Sequence, residues 1–540
     1  MTGTDGAGSV PKGTAVDVVV VGYGPVGMAA AALLGQAGHR VLVLERYAGL
    51  YNLPRAASFD DETLRTLARL GVAEELTPKV RVQRTYEWRN GRGDLLIEQH
   101  FAEVGRSGWP EWNMMYQPDL EDALDARCRS LPQVEVRHSA TVVDLEQTSE
   151  YVTLTVEDPD GRDGHSSVRA RYVLACDGGN SFVRSALGVG VRDYGFSEPW
   201  MVCDFRFRRP TRLPPALQLG DPNGPTSIIS LGPDHHRFSF MLDSVDDFET
   251  ERDPERVWKR VAAYLTPDDA DLIRVATYTF RSLIAEHWRR GRVLLAGDAA
   301  HQMPPFLGQG MCSGFRDAQN VAFKLDLVLR GVAREDILDT YQTEREPHVR
   351  AVTEKGIELG HLQTLRDPER AAERDRKLLA RRQQGGAPKA VRFPDLREGL
   401  FASRSDAGHG QLSVQGVVHD GTRGDRLDQL VGGGFQLLLA EGLLGALEDG
   451  PLLHELAGAG VRVVVPGARS GDHPVAALVQ DVHGTYRDWF AELGCSAVAV
   501  RPDFHVFGTA SGPGAAAELA GELLRLVRGE TAGVEARADA

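Results

Sequence analysis

The 540-residue chain predicts an α/β fold: a Rossmann-like domain, interrupted by an antiparallel sheet and followed by a further α/β unit. Three widely separated segments carry this expectation. Each runs from a short apolar strand, through a glycine-bearing turn, into a helical pattern, with an acid in the turn or, for the first, after the following strand. They begin near residues 18, 173 and 293. At this length two or three cores are expected rather than one.

In the first segment, four valines (18–21) lead into Gly22-Tyr23-Gly24-Pro25-Val26-Gly27. A nearly all-apolar helix is expected over 28–37, and a second strand over 41–44 ends at Glu45, with Arg46 beside it. A lone G-x-G-x-x-G is weak. Between a strand and a helix, with an acid following the next strand, it reads as a dinucleotide site. Gly22 permits the tight turn, Gly24 lets backbone approach a pyrophosphate, and Gly27 lets helix pack on strand. Glu45 would accept hydrogen bonds from the adenosine ribose. Arg55 follows the loop Tyr51-Asn52-Leu53-Pro54 and precedes a helix expected near Asp60; Gln117 opens another. A cation and an amide at two helix entrances suit phosphates and favour FAD over NAD.

The second segment is Val173-Leu174-Ala175-Cys176-Asp177-Gly178-Gly179, then a helix. The third is Val293-Leu294-Leu295-Ala296 followed by Gly297-Asp298-Ala299-Ala300-His301-Gln302-Met303-Pro304-Pro305-Phe306-Leu307-Gly308-Gln309-Gly310-Met311, with a helix over 312–325. Asp298 can accept from a sugar-like hydroxyl. Pro304 and Pro305 hold the turn away from helix, and Gly308 and Gly310 let backbone approach a flat ring. The helix N-terminus offers free N–H groups to negative charge.

Between the second and third segments, residues 201–207 and 237–242 alternate as strands do. Their antiparallel sheet would wall a substrate pocket, with Tyr194, Phe196, Trp200, His235 and His236 as candidate lining. Residues 366–384 interleave opposite charges at helical spacing and read as a solvated helix, ended by the linker Gly385-Gly386-Ala387-Pro388. Beyond residue 408 the pattern restarts. Strands are expected over 435–439 and 461–465, a helix over 485–493, a hairpin from 497–500 and 505–507, and a final helix over 515–527.

The net charge of −15 argues against nucleic acid or anionic membrane as partners. Five scattered cysteines without a C-x-x-C pair suit a reducing compartment, with neither a disulfide framework nor a thiolate metal site. No metal is expected. Residues 1–12 are glycine-rich without an apolar core, a flexible tail rather than a signal peptide. No apolar run reaches membrane-spanning length, so a cytoplasmic protein is expected.

Taken in order, the three motifs resemble the class A flavoprotein monooxygenases, the para-hydroxybenzoate hydroxylase superfamily. Pro54-Arg55-Ala56, Gln117-Pro118, the run from Pro304 to Met311 and Gly314-Phe315-Arg316-Asp317-Ala318-Gln319-Asn320 are similar to the branch containing 3-(3-hydroxyphenyl)propionate hydroxylase. The likeness extends from about residue 16 to 508. It implies FAD as cofactor and NAD(P)H as a transient co-substrate, since no second fingerprint is present to hold the nicotinamide nucleotide. Gly22, Gly24, Pro25, Val26 and Gly27 would line the pyrophosphate, and Arg55 and Gln117 the phosphate and ribityl groups. Asp177 and Gly178 would serve FAD and the passing nicotinamide. Asp298 would bind the ribityl chain, and Pro305, Gly308, Gln309, Gly310 and Met311 would flank the isoalloxazine.

The resemblance also implies an organisation: a discontinuous FAD-binding domain over 14–188 and 286–365, and a substrate-binding β-sheet domain over 189–285. A charged helix and linker (366–407) then lead to a thioredoxin-like domain (408–530) that lacks C-x-x-C. That last unit is read as structural, with a role in a homodimer. The implied activity is hydroxylation of a small phenolic aromatic with NAD(P)H and O2, through a flavin hydroperoxide. The alternative is a tailoring oxygenase of a polyketide-like aromatic, by hydroxylation or Baeyer–Villiger oxidation. A halogenase is disfavoured because no W-x-W-x-I-P segment is present. For the base that ionises the phenol, His236 and Tyr194 are the candidates, and the sequence does not decide between them.

Overall fold

The computed structural model describes residues 16–157, 164–385, 393–403, 405, 407–448, 450–467 and 469–530. The expected tail over 1–12 and linker residues 386–388 lie outside them.

The three sequence segments become neighbours in one eight-stranded sheet. Val16–Val21 pairs in parallel with Val41–Leu44 on one side and with His165–Ala175 on the other. Val293–Leu295 pairs in parallel with His165–Ala175. The register sets Val21 beside Ala175 and Ala175 beside Leu295. All three acidic or glycine turns therefore leave the sheet at the same edge, the carboxyl ends where open α/β sheets bind ligands. The first helix, Pro25–Gln36, starts inside the fingerprint, three residues before the expected position. Proline suits this first turn because its missing N–H would be unpaired there anyway.

A second eight-stranded sheet runs in the order His301–Gln302, Ala270–Ala285, Val191–Phe207, His235–Met241, Thr226–Ser230, Ala216–Gly220, Thr85–Asn90 and Leu95–His100. Its last two strands form a hairpin from far upstream, and Thr85–Asn90 joins by parallel pairing to Ala216–Gly220. One face of this sheet packs Met201, Cys203, Phe205, Ile228, Phe238 and Phe240 against Val257 and Val261 of the helix Pro254–Val261. The other face looks toward the first sheet, as the two-residue side-chain period requires.

The charged helix, Pro368–Gln383, does more than meet solvent. Its Arg374 is buried, with Nη2 donating to Gly220 O and Nη1 to Leu362 O, both at 2.7 Å. Arg382 Nη1 donates to Leu95 O at 2.9 Å. The helix thus covers the edge of the second sheet, a common protection for unpaired strand groups.

The C-terminal unit is a seven-stranded sheet in which Gln436–Leu439, Arg462–Gly467 and Ala476–Asp481 run parallel. Ala497–Val500 and Val506–Ala510 add antiparallel strands. Leu438, Val464 and Val498 pack against Trp489 of Thr485–Leu493, whereas Leu437, Val463 and Ala499 belong to the core shared with Gly512–Arg528. This is a thioredoxin-like layering with helices on both faces. It docks through buried charge: Arg501 pairs with Glu344 at 2.6 Å, and Arg65 with Asp428 at 2.6 Å. Among the described residues, no helix is long and apolar enough to cross a membrane, and no group of three or more His, Cys, Asp or Glu is placed to hold a metal.

Candidate active site

A cleft of about 450 Å³ lies between the carboxyl ends of the first sheet and the inner face of the second. It gathers Gly24, Pro25, Val26, Arg55, Gln117, Gly178, Asp298, Pro305, Gly308, Gly310 and Met311, positions from all three sequence motifs and both helix entrances. Their convergence follows from the parallel register, which no local sequence pattern contains.

The remaining fingerprint residues act on the turn itself. Gly22 sits at φ +97°, and a Cβ there would lie 2.5 Å from Cys176 O. A Cβ on Gly27 would lie 2.1 Å from Gly22 O. Neither position admits another residue. Glu45 accepts hydrogen bonds from Tyr23 N at 2.7 Å and Tyr47 N at 2.9 Å, outside the cleft lining. Arg46 is exposed and lies over the Tyr47 ring.

The two helix entrances are joined. Gln117 Oε1 accepts from Arg55 N at 3.1 Å and Ala56 N at 2.6 Å, while its Nε2 donates to Glu121 Oε1 at 2.6 Å. Gln117 thereby holds the loop that presents the half-exposed Arg55 guanidinium to the cleft. Asp177 Oδ2 accepts from Val183 N at 3.1 Å, at the start of the helix Phe182–Ala186, and its Oδ1 is buried without a partner. Burial pushes its carboxyl upward against the hydrogen bonds it accepts.

Asp298 faces the cleft, and its carboxylate accepts no hydrogen bond from the described residues. The residue is exposed to the cleft, and desolvation by the surrounding protein raises its carboxyl, with the charges of His301 and Arg55 opposing. The turn before it is held by Asp317, which accepts from Gly297 N at 3.1 Å, His301 Nε2 at 2.6 Å and Arg345 Nε at 3.0 Å. Gln309 departs from expectation. Its side chain turns away from the cleft, donating to Asp60 Oδ2 at 3.2 Å and accepting from Arg316 Nη1 at 2.9 Å. A buried Asp–Arg pair outcompetes the open cleft for its amide, so the side chain anchors the loop instead of facing the ring.

Both candidate bases are misplaced. His236 lies on the face opposite the cleft because strand neighbours alternate: Arg237 and Ser239 line it, whereas His236 packs near Phe207 and Phe238. One ring nitrogen, Nε2, contacts Pro214 O at 3.1 Å, and burial pulls its pKa down to about 3. Tyr194 packs against the first core, with its hydroxyl buried and unpartnered. Phe196 and Trp200 stand behind Phe306, at ring separations of 5.7 and 5.9 Å, and only Phe306 reaches the cleft. His235 stacks on Tyr116 at 3.9 Å.

The second sheet supplies what the sequence reading lacked. Arg237, Asp204 and Arg274 are direct cross-strand neighbours in register. Arg237 grips Asp204 with Nε at 2.6 Å and Nη2 at 3.0 Å, and Arg274 Nη1 adds a contact at 3.3 Å. Both guanidiniums also donate to Pro54 O, tying this wall to the loop of Arg55. Two cations share one anion, so this trio carries a single net positive charge beside the cleft, to which the lining residues Arg55 and Arg281 add their own. Burial draws the Arg274 guanidinium down from its usual range, with Asp204 opposing. Trp112, Met114, Val202, Ile229, Phe280 and Phe306 provide apolar walls. Among the lining residues there is no histidine, and Asp298 is the one carboxylate. The run Arg237-Phe238-Ser239-Phe240 carried a signal for this wall: polar residues at every second position of an otherwise apolar strand.

These residues fit FAD. Gly24 leaves an open floor, since a Cβ there would meet only Arg55 Nη2, at 3.8 Å. The helix Pro25–Gln36 has no side-chain cap, so its first N–H groups remain for an anion. Asp177 Oδ1 and Asp298 hold acceptor capacity that the protein does not use.

Residues 15–356 match the family described as FAD binding domain, and residues 410–525 match the HcaD C-terminal domain. The chain is 50% identical over 519 residues to a probable NADH-specific resorcinol 4-hydroxylase of Rhodococcus jostii (strain RHA1), covering 95% of each chain. It is 32% identical to a 3-(3-hydroxy-phenyl)propionate/3-hydroxycinnamic acid hydroxylase of Mycobacterium sp. (strain JLS), covering 92% of this chain and 89% of that protein. In structure it is similar to the OxyS anhydrotetracycline hydroxylase of Streptomyces rimosus, with a TM-score of 0.74 and 27% identity, over 96% of this chain and all of that one.

Proposed function

This chain belongs to the class A FAD-dependent aromatic monooxygenases, and on that premise we propose that it hydroxylates a single-ring, resorcinol-like phenol with NADH as reductant. The carrying observation is the 50% identity to the Rhodococcus jostii protein along nearly the whole of both chains. The cleft supports it. About 450 Å³ must take the flavin ring and the substrate together, which suits one aromatic ring over a fused polyketide.

FAD, when bound and reduced, supplies with O2 the electrophilic oxygen atom. Gly24, Pro25 and Val26 would receive the pyrophosphate, Arg55 the phosphate charge, Asp298 the ribityl hydroxyls, and the Pro305 to Met311 loop the ring. The chain's further task is to bind the phenol, exclude water and favour its ionised form, whose ring carbons ortho and para to oxygen are the nucleophiles. With no histidine in the lining and its one carboxylate, Asp298, assigned to the ribityl hydroxyls, ionisation is driven by field: the positive charge of Arg237, Asp204 and Arg274 stabilises phenolate oxygen in a site of low dielectric. Phe280, Phe306, Trp112 and Met114 hold the ring and keep water out. A reducing, cytoplasmic setting suits the five free cysteines, and the C-terminal unit is read as serving a homodimer.

The test is NADH and NADPH oxidation by the FAD-loaded protein with resorcinol, phenol, 3-(3-hydroxyphenyl)propionate and a polycyclic phenol, recording O2, peroxide and products together. Resorcinol should speed NADH oxidation and give a trihydroxybenzene without stoichiometric peroxide. Acceleration by the polycyclic phenol alone would replace this reading with a tailoring oxygenase.

A further inference from the structure

The wall formed by Thr85–Asn90, Ala216–Gly220 and Thr226–Ser230 carries a hydrogen-bonded chain whose direction is set by the backbone. Gln363 Nε2 donates to the main-chain Thr226 O at 3.2 Å. A carbonyl can only accept, so this atom is the amide nitrogen. The same nitrogen donates to Ser227 Oγ at 3.1 Å. The Ser227 hydroxyl then gives its own proton to Gln218 Oε1, which leaves Gln218 Nε2 facing Tyr86 Oη and donating to it. Reversing the Gln218 amide would aim two NH2 groups at Ser227 Oγ and strand the serine proton at a buried site, an arrangement native proteins avoid. Tyr86 therefore spends an acceptor lone pair on the wall. Its O–H proton has no partner among the described residues, and Tyr86 lines the cleft.

Position adds to direction. Gln218 and Ser227 are direct cross-strand partners, as are Ser227 and Ser239. Through Ala216 and Ile229, Tyr86 stands in the same cross-strand row as Arg237, Asp204 and Arg274, three strand spacings or about 14 Å between Cα atoms from Arg237. Tyr86, Arg237 and Arg274 all line the one cleft, so a ring held there has the tyrosine at one end and the guanidiniums toward the other.

Resting on the hydroxylase reading above, we propose that Tyr86 is a specificity-determining residue: a one-way donor that takes the second, non-reacting oxygen of a dihydroxylated ring. The reacting oxygen lies toward the Arg237 and Arg274 pair. A phenol without the second oxygen leaves this donor unpaired in the cleft, so it is bound less well. Gln218, Ser227 and Gln363 are positioning residues that act through Tyr86.

The test compares resorcinol with phenol in the FAD-loaded enzyme. Wild type should prefer resorcinol in kcat/KM. Tyr86→Phe removes only the hydroxyl, and the preference should collapse about tenfold or more, chiefly through a higher KM for resorcinol. Gln218→Glu is the second variant. A carboxylate at this position can only accept, so it would draw the Tyr86 proton away from the cleft and lower the preference in the same direction. Flavin content and Tm report whether each variant is folded. A preference unchanged in both folded variants overturns the inference while leaving the function intact, and a wild type that does not favour resorcinol over phenol overturns it as well. If no phenol speeds wild-type oxidation, the hydroxylase reading itself has failed, and that is seen before any variant is assayed.

Discussion

Replacing Arg274 by methionine tests whether charge, and not a base, ionises the substrate. The substitution deletes one guanidinium and keeps much of the apolar stem. Asp204 keeps both bonds from Arg237, at 2.6 and 3.0 Å, so no bare carboxylate is left buried. The charge of the Arg237–Asp204–Arg274 group falls from one net positive to zero, with Arg55 and Arg281 of the lining unchanged in both enzymes. For a phenolate oxygen about 6 Å from that charge, at an effective dielectric constant near 20, the lost attraction is about 3 kcal/mol. That corresponds to about two pK units for the bound phenol. The assay is kcat/KM for resorcinol from about pH 6 to pH 11, with flavin content and Tm measured alongside. On the acid side the variant should be slower by about 100-fold, because fewer bound phenols are ionised. Its ionisation limb should move up by about two pH units, and the two enzymes should converge at the alkaline end. An equal loss at every pH would refute the reasoning, since it would mean that Arg274 shapes the cleft without acting on the proton.

Two further outcomes follow from the geometry of the turns and from a strained carboxyl. Gly24→Ala meets only Arg55, at 3.8 Å, and should keep a near-wild-type apo-protein Tm while losing flavin; Gly22→Ala drives a Cβ to 2.5 Å from Cys176 O and should cost the fold itself. Melting curves and flavin absorbance separate the two. Asp61, which accepts from Ser107 N at 2.7 Å, is pushed up to about 7 by burial, with the charge of Asp60 adding. Its folded pKa lies above its unfolded value of about 4, so the folded state holds more protons between these and stability falls as pH rises through that window. Asp61→Asn should thus stabilise the protein by a few kcal/mol above about pH 7 and by nothing near pH 4. A pH-independent change in Tm would show that the carboxyl charge is not the cause.

What the sequence determined is local. Each cofactor motif places a strand and a glycine turn within about a dozen residues, with an acid in the turn or, as Glu45, after the next strand, and each forms where expected: Val16–Val21 before Gly22, His165–Ala175 before Asp177, Val293–Leu295 before Asp298. The glycines were legible because their backbone geometry excludes every other residue, as Gly22 and Gly27 illustrate. The cofactor class and the parallel core were written in that grammar. Tertiary structure decided the substrate wall. Alternation along residues 237–242 was visible, but not which face it served, and a shift of one residue is what separates buried His236 from cleft-lining Arg237. The pairing of Thr85–Asn90 with Ala216–Gly220, which brings Tyr86 to Gln218, joins segments more than a hundred residues apart. Gln309 sits in a readable motif, yet Asp60 and Arg316 turned its side chain away. Register, face and partner are settled by long-range pairing and by competition for buried hydrogen bonds, and neither leaves a mark within a single stretch of chain.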